Sequence, residues 1–452
     1  MSTYTELREK YPDFYYRDYI IEEDDKEIRV TYLFEIESLA SFKPSWVFYK
    51  KDSERLSDTS LFKNLVFSLG LVELVSYWKL TCSPSVHVLP HALTEEQVTW
   101  WKKLYFGGLG EFFYLNSITS DFDSFMNINS YGNVILPEKS FRELSGCLVP
   151  VGGGKDSAVT LRILTNEDVT PIVINGRGAT ENTCRVAGFD TSHTDTVTRR
   201  LDPEMIALNK KGFLNGHTPF SAIVAFASVI NAYISGKKYV VLSNESSANE
   251  STVEGSDVNH QFSKGYEFEK AFQDYEKAYL KTGVFYFSLL RPLSEFQIVG
   301  LFSSYREYHP IFRSCNAGSK TDSWCCNCPK CLFVYIILSP FLSKDELVEI
   351  FGEDLLDKES LRVDFEKLTG VIPEKPFECV GSRDEVRCAL TIALEKRKDR
   401  LPCLLKEFRD RGELASDPYK YFEFFDTENS LTSKFADLVK GELYVFKDFK
   451  HS

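Results

Sequence analysis

Apolar and polar positions in the first third of the chain follow two different periods. Residues 60–77 have the three-to-four-residue spacing of a buried helix, whereas residues 29–34 and 86–89 are short runs typical of strands. The segment is also rich in aromatic side chains. These patterns predict an N-terminal α+β domain over residues 1–140, which we expect to lie on the substrate side of the protein.

From residue 147 onward, short apolar strands alternate with helices. CLVPV (147–151) and PIVIN (171–175) read as buried strands, residues 221–234 as a buried helix, and KYVVL (238–242) as a further strand. Continuous apolar strands alternating with helices indicate a parallel sheet covered on both faces. The fold class predicted for residues 141–340 is therefore α/β, with a doubly wound parallel sheet.

The turns after these strands carry most of the polar residues of the region. They cover residues 151–157, 175–182 and 243–260. Ligands of open α/β sheets bind at the carboxyl ends of the strands, so we expect the three turns to converge on one edge.

The last part of the chain has the spacing of helices. SKDE from Ser343 and SRDE from Ser382 have capping-box spacing, in which the serine and a glutamate three residues on satisfy each other's backbone amides. Residues 341–452 are therefore predicted to form a C-terminal helical region.

Composition narrows the function classes. The 452 residues are 43% apolar with a formal net charge of −13, which opposes binding to phosphate backbones and argues against a nucleic-acid partner. The N-terminus has no basic segment followed by an apolar one, and no apolar run of about 18 residues is apparent. We expect a cytoplasmic protein without membrane insertion; the oligomeric state stays open.

The sequence GGGKDS lies between a predicted strand and a predicted helix. Consecutive glycines permit positive φ and bring backbone N–H groups close to an anion, and the helix N-terminus attracts the same charge. A Walker A loop and a GxGxxG fingerprint both fail to match. A glycine-rich turn without a ligand is the alternative. The candidate ATP-binding residues are Gly152, Gly153, Gly154, Lys155, Asp156 and Ser157.

Four cysteines follow the predicted sheet with the spacing C-x9-C-x2-C-x2-C. They are Cys315, Cys325, Cys328 and Cys331, and Cys326 is left over. Four thiolates suit a closed, structural zinc site. Reduced cysteines without a metal are the alternative interpretation.

The strand–GGGKDS–helix pattern resembles the phosphate loop of the PP-loop ATP pyrophosphatases, with Gly152 where that family has serine. The resemblance implies cleavage of ATP to AMP and pyrophosphate. Asp156 would orient the loop or hold Mg²⁺. The cysteine spacing resembles that of the 7-cyano-7-deazaguanine synthases, and this likeness covers residues 147–335.

A wider set of motifs resembles the UDP-N-acetylmuramoyl-L-alanyl-L-glutamate epimerase family of peptidoglycan synthesis. The set includes PVGGGKDS, SNESSANE, DVNHQFSKGYEFE, SCNAGSKTDSWCCNCPKCLFVY and PFECVGS. The resemblance implies an ATP- and Mg²⁺-dependent epimerase that acts on a nucleotide-sugar peptide through an acyl-adenylate, in cell-wall biogenesis and cell shape.

The same resemblance distributes roles over the polar turns. Asn175 and Arg177 are expected near the nucleotide. The candidate catalytic residues are His260, Glu245, His217 and Asp156. The candidate substrate contacts are Asn244, Glu250, Asn259, Gln261, Ser263 and Lys264.

Two other functions remain open at this point. One is an amide- or nitrile-forming, or sulfur-inserting, PP-loop ligase like 7-cyano-7-deazaguanine synthase. The other is a non-catalytic module that binds nucleotide and zinc.

Overall fold

The chain divides into two units in a computed structural model that describes residues 3–51, 53–249, 261–318, 321–397 and 400–446. Unit 1 comprises Met1–Leu148, Asp195–Val240 and Asp257–Tyr286, and unit 2 comprises Val149–Thr194, Val241–Ser256 and Phe287–Ser452. Both units are discontinuous in sequence. The three domains predicted from the sequence, residues 1–140, 141–340 and 341–452, are continuous segments, and this division stays a prediction.

The described residues contain eleven strands. They are β1 (Asp13–Glu23), β2 (Glu27–Ile36), β3 (Ala40–Phe42), β4 (Ser45–Tyr49), β5 (Ser85–Val88), β6 (Asn127–Ser130), β7 (Ser145–Pro150), β8 (Val169–Ile174), β9 (Asp195–Arg200), β10 (Lys237–Leu242) and β11 (Phe285–Ser288).

Sixteen α-helices accompany them in the same residues. They are α1 (Tyr4–Lys10), α2 (Ser60–Trp78), α3 (Glu95–Gly108), α4 (Gly110–Leu115), α5 (Lys155–Ile163), α6 (Gly178–Val186), α7 (Pro203–Lys210), α8 (Phe220–Ile234), α9 (Tyr266–Tyr275), α10 (Glu295–Ser304), α11 (Pro329–Leu338), α12 (Lys344–Phe351), α13 (Arg362–Thr369), α14 (Arg383–Lys396), α15 (Cys403–Arg411) and α16 (Ser433–Phe446).

Unit 1 is built on a mixed sheet. β2 pairs antiparallel with β1, β3 and β4, and β4 pairs antiparallel with β9. β1, β5 and β6 pair in parallel, as do β7 and β10. The α/β class is confirmed, and the sheet is mixed: β9, which lies within residues 141–340, pairs antiparallel with β4, which lies outside that range. Its sequence DTVTRR is mostly polar, so the apolar-strand pattern did not reveal it.

Helix α2 is the central helix of unit 1. It packs against β1, β2 and α8, and nearly all of its side chains are buried because apolar residues surround the helix axis. Its 19 residues are long and apolar enough to cross a membrane by length and composition, contrary to the sequence expectation. Its burial in unit 1 marks it as a core helix.

Unit 2 contains β8 and the carboxyl ends of β7, β10 and β11. The amide of Val151 donates to Ile172 O at 2.9 Å, and the amide of Leu289 donates to Leu242 O at 2.9 Å. Nine of the ten residues are buried in each of the helices α10 and α11. Both expected capping boxes are confirmed, at Ser343 for α12 and at Ser382 for α14.

Candidate functional site

The glycine loop connects β7 to α5 in unit 2 and adopts a backbone conformation that requires glycine. Gly153 has φ +80°, and a Cβ there would lie 2.8 Å from the backbone of Ala179. Gly154 is the N-cap residue of α5 and offers no side-chain cap. The close approach therefore requires glycine at position 153. Because the N-cap residue Gly154 has no side chain, it cannot cap the backbone amides in the first turn of α5.

The loop is supported by segments distant in sequence. The amide of Arg313 donates to Gly153 O at 2.9 Å, and Ser157 Oγ donates to Gly154 O at 3.1 Å. Thr160 Oγ1 bonds to Ser243 Oγ at 2.8 Å. Ser243, the first residue of the third predicted turn, therefore contacts α5 within unit 2. The second predicted turn, at 175–182, contacts the loop through Ala179, which lies beside Gly153.

Lys155 is the first residue of α5 and is buried. Its ammonium contacts the Asp156 carboxylate and lies 2.8 Å from Glu295 Oε1. Burial alone would lower the pKa of Lys155, but the two carboxylates raise it above its usual value. Lys155 is therefore a cation in this environment.

Sequence reasoning missed Glu295, the first residue of α10. Only 4% of its side chain is exposed, and burial raises its pKa to about 8. The sequence carried no signal for this role, because a glutamate directly after the cap Ser294 is an ordinary residue for the first turn of a helix.

The two residues expected near the nucleotide follow β8. Asn175 has φ +52°, and the Arg177 amide donates to Thr180 Oγ1 at 2.8 Å at the start of α6. Both side chains belong to exposed residues. The approach of Gly153 to Ala179 and Thr180 puts this turn beside the glycine loop.

Asn244 and Glu245 follow β10 and are buried in unit 2. Asn244 Nδ2 donates to Ser288 Oγ at 3.1 Å, and Arg291 Nη1 donates to Glu245 O at 2.6 Å. Ser247 Oγ donates to Glu245 Oε1 at 3.4 Å. These bonds fix the backbone of this turn and leave Glu245 as a buried carboxylate.

The other predicted residues fall in unit 1 or outside the described residues. His217 Nδ1 lies 3.5 Å from Glu111 Oε2, so this imidazole has a carboxylate partner within unit 1. Gln261 and Ser263 are buried and Lys264 is half-buried, all in unit 1. The predictions that concern Glu250, Asn259 and His260 lie outside the described residues.

The four predicted cysteines meet in unit 2. The sulfur of Cys328 lies 3.8 Å from that of Cys315 and 3.5 Å from that of Cys331, and the Cys325 and Cys331 sulfurs are 3.7 Å apart. All four sulfurs lie within 4.8 Å of one another. A tetrahedron with metal–sulfur bonds of about 2.3 Å has edges of about 3.8 Å, so this group could hold zinc.

The contact between two of these thiols shifts their pKa values in opposite directions. Contacts with the Cys331 thiol and the Cys331 amide at the start of α11 lower the pKa of Cys328 to about 5, whereas the contact with Cys328 and burial raise the pKa of Cys331. Cys326 is not part of the group: its thiol donates to Phe351 O at 3.0 Å.

Comparison with known proteins covers most of the chain. The model of the MurL N-terminal domain matches residues 5–289, and the model of the MurL C-terminal domain matches residues 311–418. This chain belongs to the MurL family. The two matched ranges include the glycine loop, the polar turns and the four cysteines, whose motifs resemble this family in the sequence.

Two relatives illustrate how far the MurL likeness extends. A protein of Xanthomonas oryzae pv. oryzae is 34% identical over 350 residues, covering 75% of this chain and 76% of the relative. A protein of Salinispora tropica is 35% identical over 336 residues, covering 73% and 72%. Both are named UDP-N-acetyl-alpha-D-muramoyl-L-alanyl-L-glutamate epimerase. No solved structure matches the chain significantly.

Proposed function

We propose that this MurL-family chain inverts the terminal L-glutamate of UDP-MurNAc-L-Ala-L-Glu to D-glutamate in an ATP-dependent reaction. The names of the relatives support the epimerase role and the substrate. The observation that carries the ATP-dependent part is the loop after β7, where a buried Lys155 opens a helix that receives no cap from the preceding glycine. In this proposal the protein acts in the cytoplasm on a precursor of peptidoglycan.

Activation precedes inversion because the α-proton beside a free carboxylate is very weakly acidic. A carboxylate oxygen attacks the α-phosphorus of ATP, and pyrophosphate leaves. The acyl-adenylate lacks the carboxylate charge, so its carbonyl can accept the electron pair when the α-C–H bond breaks. Reprotonation on the other face inverts the carbon, and hydrolysis releases the product and AMP.

The glycine loop has the features needed to bind pyrophosphate. Backbone amides at the start of α5 can donate to an anion because no side chain caps them, and Lys155 brings a positive charge to the same turn. Asn175 and Arg177 are assigned to the nucleotide because their turn lies beside the loop. When bound, Mg²⁺ neutralises phosphate charge, and the Asp156 carboxylate is the oxygen ligand available in the loop.

Proton transfer is assigned to the residues that the family resemblance named. Glu245 is a buried carboxylate whose backbone is fixed by Arg291, and His217 is paired with Glu111. His260 remains the first sequence-based candidate. Each assignment is tested by replacing the residue and measuring exchange of the substrate α-proton in ²H₂O.

One incubation tests the proposed reaction. The protein is mixed with Mg²⁺, ATP and UDP-MurNAc-L-Ala-L-Glu, and AMP and the configuration of glutamate are measured after acid hydrolysis. We expect AMP and D-glutamate without any added ammonia or sulfur donor. ATP consumption that requires ammonia would favour the ligase alternative, and retained L-glutamate despite turnover would refute the epimerase.

Asp156→Ala tests the loop assignment. We expect AMP formation to fall at least about 100-fold, a loss typical of removing one group that stabilises transition-state charge. Asp410→Ala is the matched control, because Asp410 is an exposed aspartate of unit 2 that pairs only locally with Arg409. Equal activity of the two variants would refute the assignment.

We assign a structural zinc ion to Cys315, Cys325, Cys328 and Cys331. The support is the set of sulfur separations, which match the edges of a zinc–thiolate tetrahedron. Metal analysis of the purified protein should give about one zinc per chain. Cys315→Ser should lose it and Cys326→Ser should keep it; equal zinc contents in the two variants would contradict the assignment.

A further inference from the structure

The ammonium of Lys155 has a second carboxylate partner outside the glycine loop. Glu295 comes from the first turn of α10, its Oε1 atom lies 2.8 Å from Lys155 Nζ, and both side chains are almost fully buried. The loop carboxylate of Asp156 contacts the same ammonium. One cation is therefore shared by two carboxylates where the proposed function requires a polyanion to bind.

The other oxygen of Glu295 has no partner. Glu295 Oε2 is buried, and no donor among the described residues lies within hydrogen-bonding distance of it. A buried acceptor without a donor is costly, and more so when it carries charge. The neighbouring buried carboxyl on α14, Glu385, differs because it accepts bonds from Ser382 and from the Phe296 amide.

Burial favours the protonated form of Glu295. It is the main cause that raises the pKa of Glu295 to about 8, and the carboxylates of Asp156 and Glu245 act in the same direction. Lys155 and Lys330 oppose them. The ion pair with Lys155 is thus the main interaction that limits the rise of this pKa and lets the carboxyl ionise above about pH 8.

We propose that Glu295 is a positioning residue that holds the Lys155 ammonium until the phosphates of ATP replace it, and that Glu295 then takes up a proton. This inference rests on the proposed binding of ATP at the glycine loop. Phosphate oxygens compete for the same ammonium, and Asp156 stays beside it in the loop. Once Lys155 turns to the phosphates, Glu295 would be a buried carboxylate without a cation, so a proton from solvent bonds to its carboxylate oxygen.

The exchange predicts a direction for the pH dependence of ATP binding. The proton binds more tightly to Glu295 in the ATP complex than in the free protein, so ATP affinity falls as the pH rises above the free pKa of about 8. One coupled proton gives at most about a tenfold loss per pH unit. The phosphates of ATP are already fully ionised in this range and add no slope.

Isothermal titration calorimetry of ATP with EDTA, at pH 7.5, 8.0, 8.5 and 9.0, measures this coupling. We expect the wild-type affinity to fall about five- to tenfold between pH 8 and pH 9. Glu295→Gln keeps an acceptor for Lys155 but cannot titrate, so its affinity should change less than about twofold and exceed that of the wild type at pH 9.

Two further variants separate positioning from general structural support. Glu385→Gln removes a buried carboxyl that does not contact Lys155, and it should keep the wild-type slope. Glu295→Asp restores the charge on a shorter side chain and should restore part of the slope. If Glu295→Gln only weakened binding equally at every pH, its role would be structural and the inference would be overturned.

The outcomes for the two proposals are distinct. No ATP binding by the wild-type protein at any of these pH values, either with EDTA or with Mg²⁺ in its place, would overturn the proposed function and the inference with it. ATP binding with equal pH dependence in the wild type and Glu295→Gln would overturn the inference alone. Heat measured in buffers of different ionisation enthalpy should also give uptake of nearly one proton at pH 9 in the wild type and in Glu385→Gln, but not in Glu295→Gln.

Discussion

The two units each bury an acid–base pair, and the two pairs are satisfied very differently. In unit 1, Arg199 donates to Glu73 through Nη2 at 2.8 Å and Nε at 2.9 Å, and Trp46 Nε1 donates to the same carboxylate at 3.1 Å. In unit 2, Glu295 contacts Lys155 through one oxygen, and its other oxygen has no hydrogen-bond donor among the residues that the structure describes. The first carboxylate is saturated and the second is not.

The difference separates a structural pair from a candidate functional one. A bidentate arginine with a further donor offsets the loss of hydration, and it joins α2 to β9 within unit 1. A lysine offers a single charge that can turn to another anion, and the free oxygen of Glu295 can accept a proton. The feature that marks Glu295 as a candidate functional residue is therefore its incomplete hydrogen bonding, in a buried position beside the glycine loop.

The largest expected effect comes from breaking the saturated pair. Glu73→Ala leaves the Arg199 guanidinium buried without its carboxylate, so we expect the free energy of unfolding to fall by about 3–5 kcal/mol. Urea unfolding followed by circular dichroism measures the loss. Glu35→Ala, which removes a half-exposed partner of Arg17, is the control and should cost less than about 1 kcal/mol. Equal losses would abolish the distinction between the pairs.

Much of this architecture could be predicted from local patterns. Apolar runs located β8, α8 and β10 to within two residues, and the capping serines located the starts of α12 and α14. Strands β1 and β2 were harder to predict, because buried and more exposed side chains alternate along parts of them and they are not continuous apolar runs. The antiparallel pairing of β2 with its neighbours depends on contacts between distant segments, which the sequence of one segment does not determine.

The same limit applies to the candidate site. The glycine loop and cysteine spacing are local motifs, so the sequence was sufficient to predict that the cysteines cluster. Glu295 is 140 positions from Lys155 along the chain, and Glu73 is 126 from Arg199. Long-range pairs of this kind follow from packing of α10 on α5 and of α2 on β9, which residue patterns alone do not determine.

A second test addresses the loop that places Lys155. Gly153→Ala puts a side chain at φ +80° and 2.8 Å from the Ala179 backbone, so we expect a loss of about 2–3 kcal/mol in unfolding free energy. Gly152→Ala is the matched control, since a Cβ there meets nothing within 4 Å and should change stability by about 0.5 kcal/mol or less. A tolerated Gly153→Ala would mean that the loop relaxes easily and that Lys155 is not rigidly placed.

The smallest effect has the opposite sign and sharpens the comparison most. The folded-state pKa of Glu295, about 8, lies above that of an unfolded glutamate, so the stability from its bound proton is fully present below pH 4 and is lost as the pH rises through 8. Glu295→Gln does not titrate. Relative to wild type, it should therefore gain about 1–2 kcal/mol in unfolding free energy between pH 7 and pH 9, measured by urea unfolding at both values. A pH-independent loss would instead place Glu295 with Glu73 among the structural carboxylates, because a saturated pair only loses stability when its charge is removed.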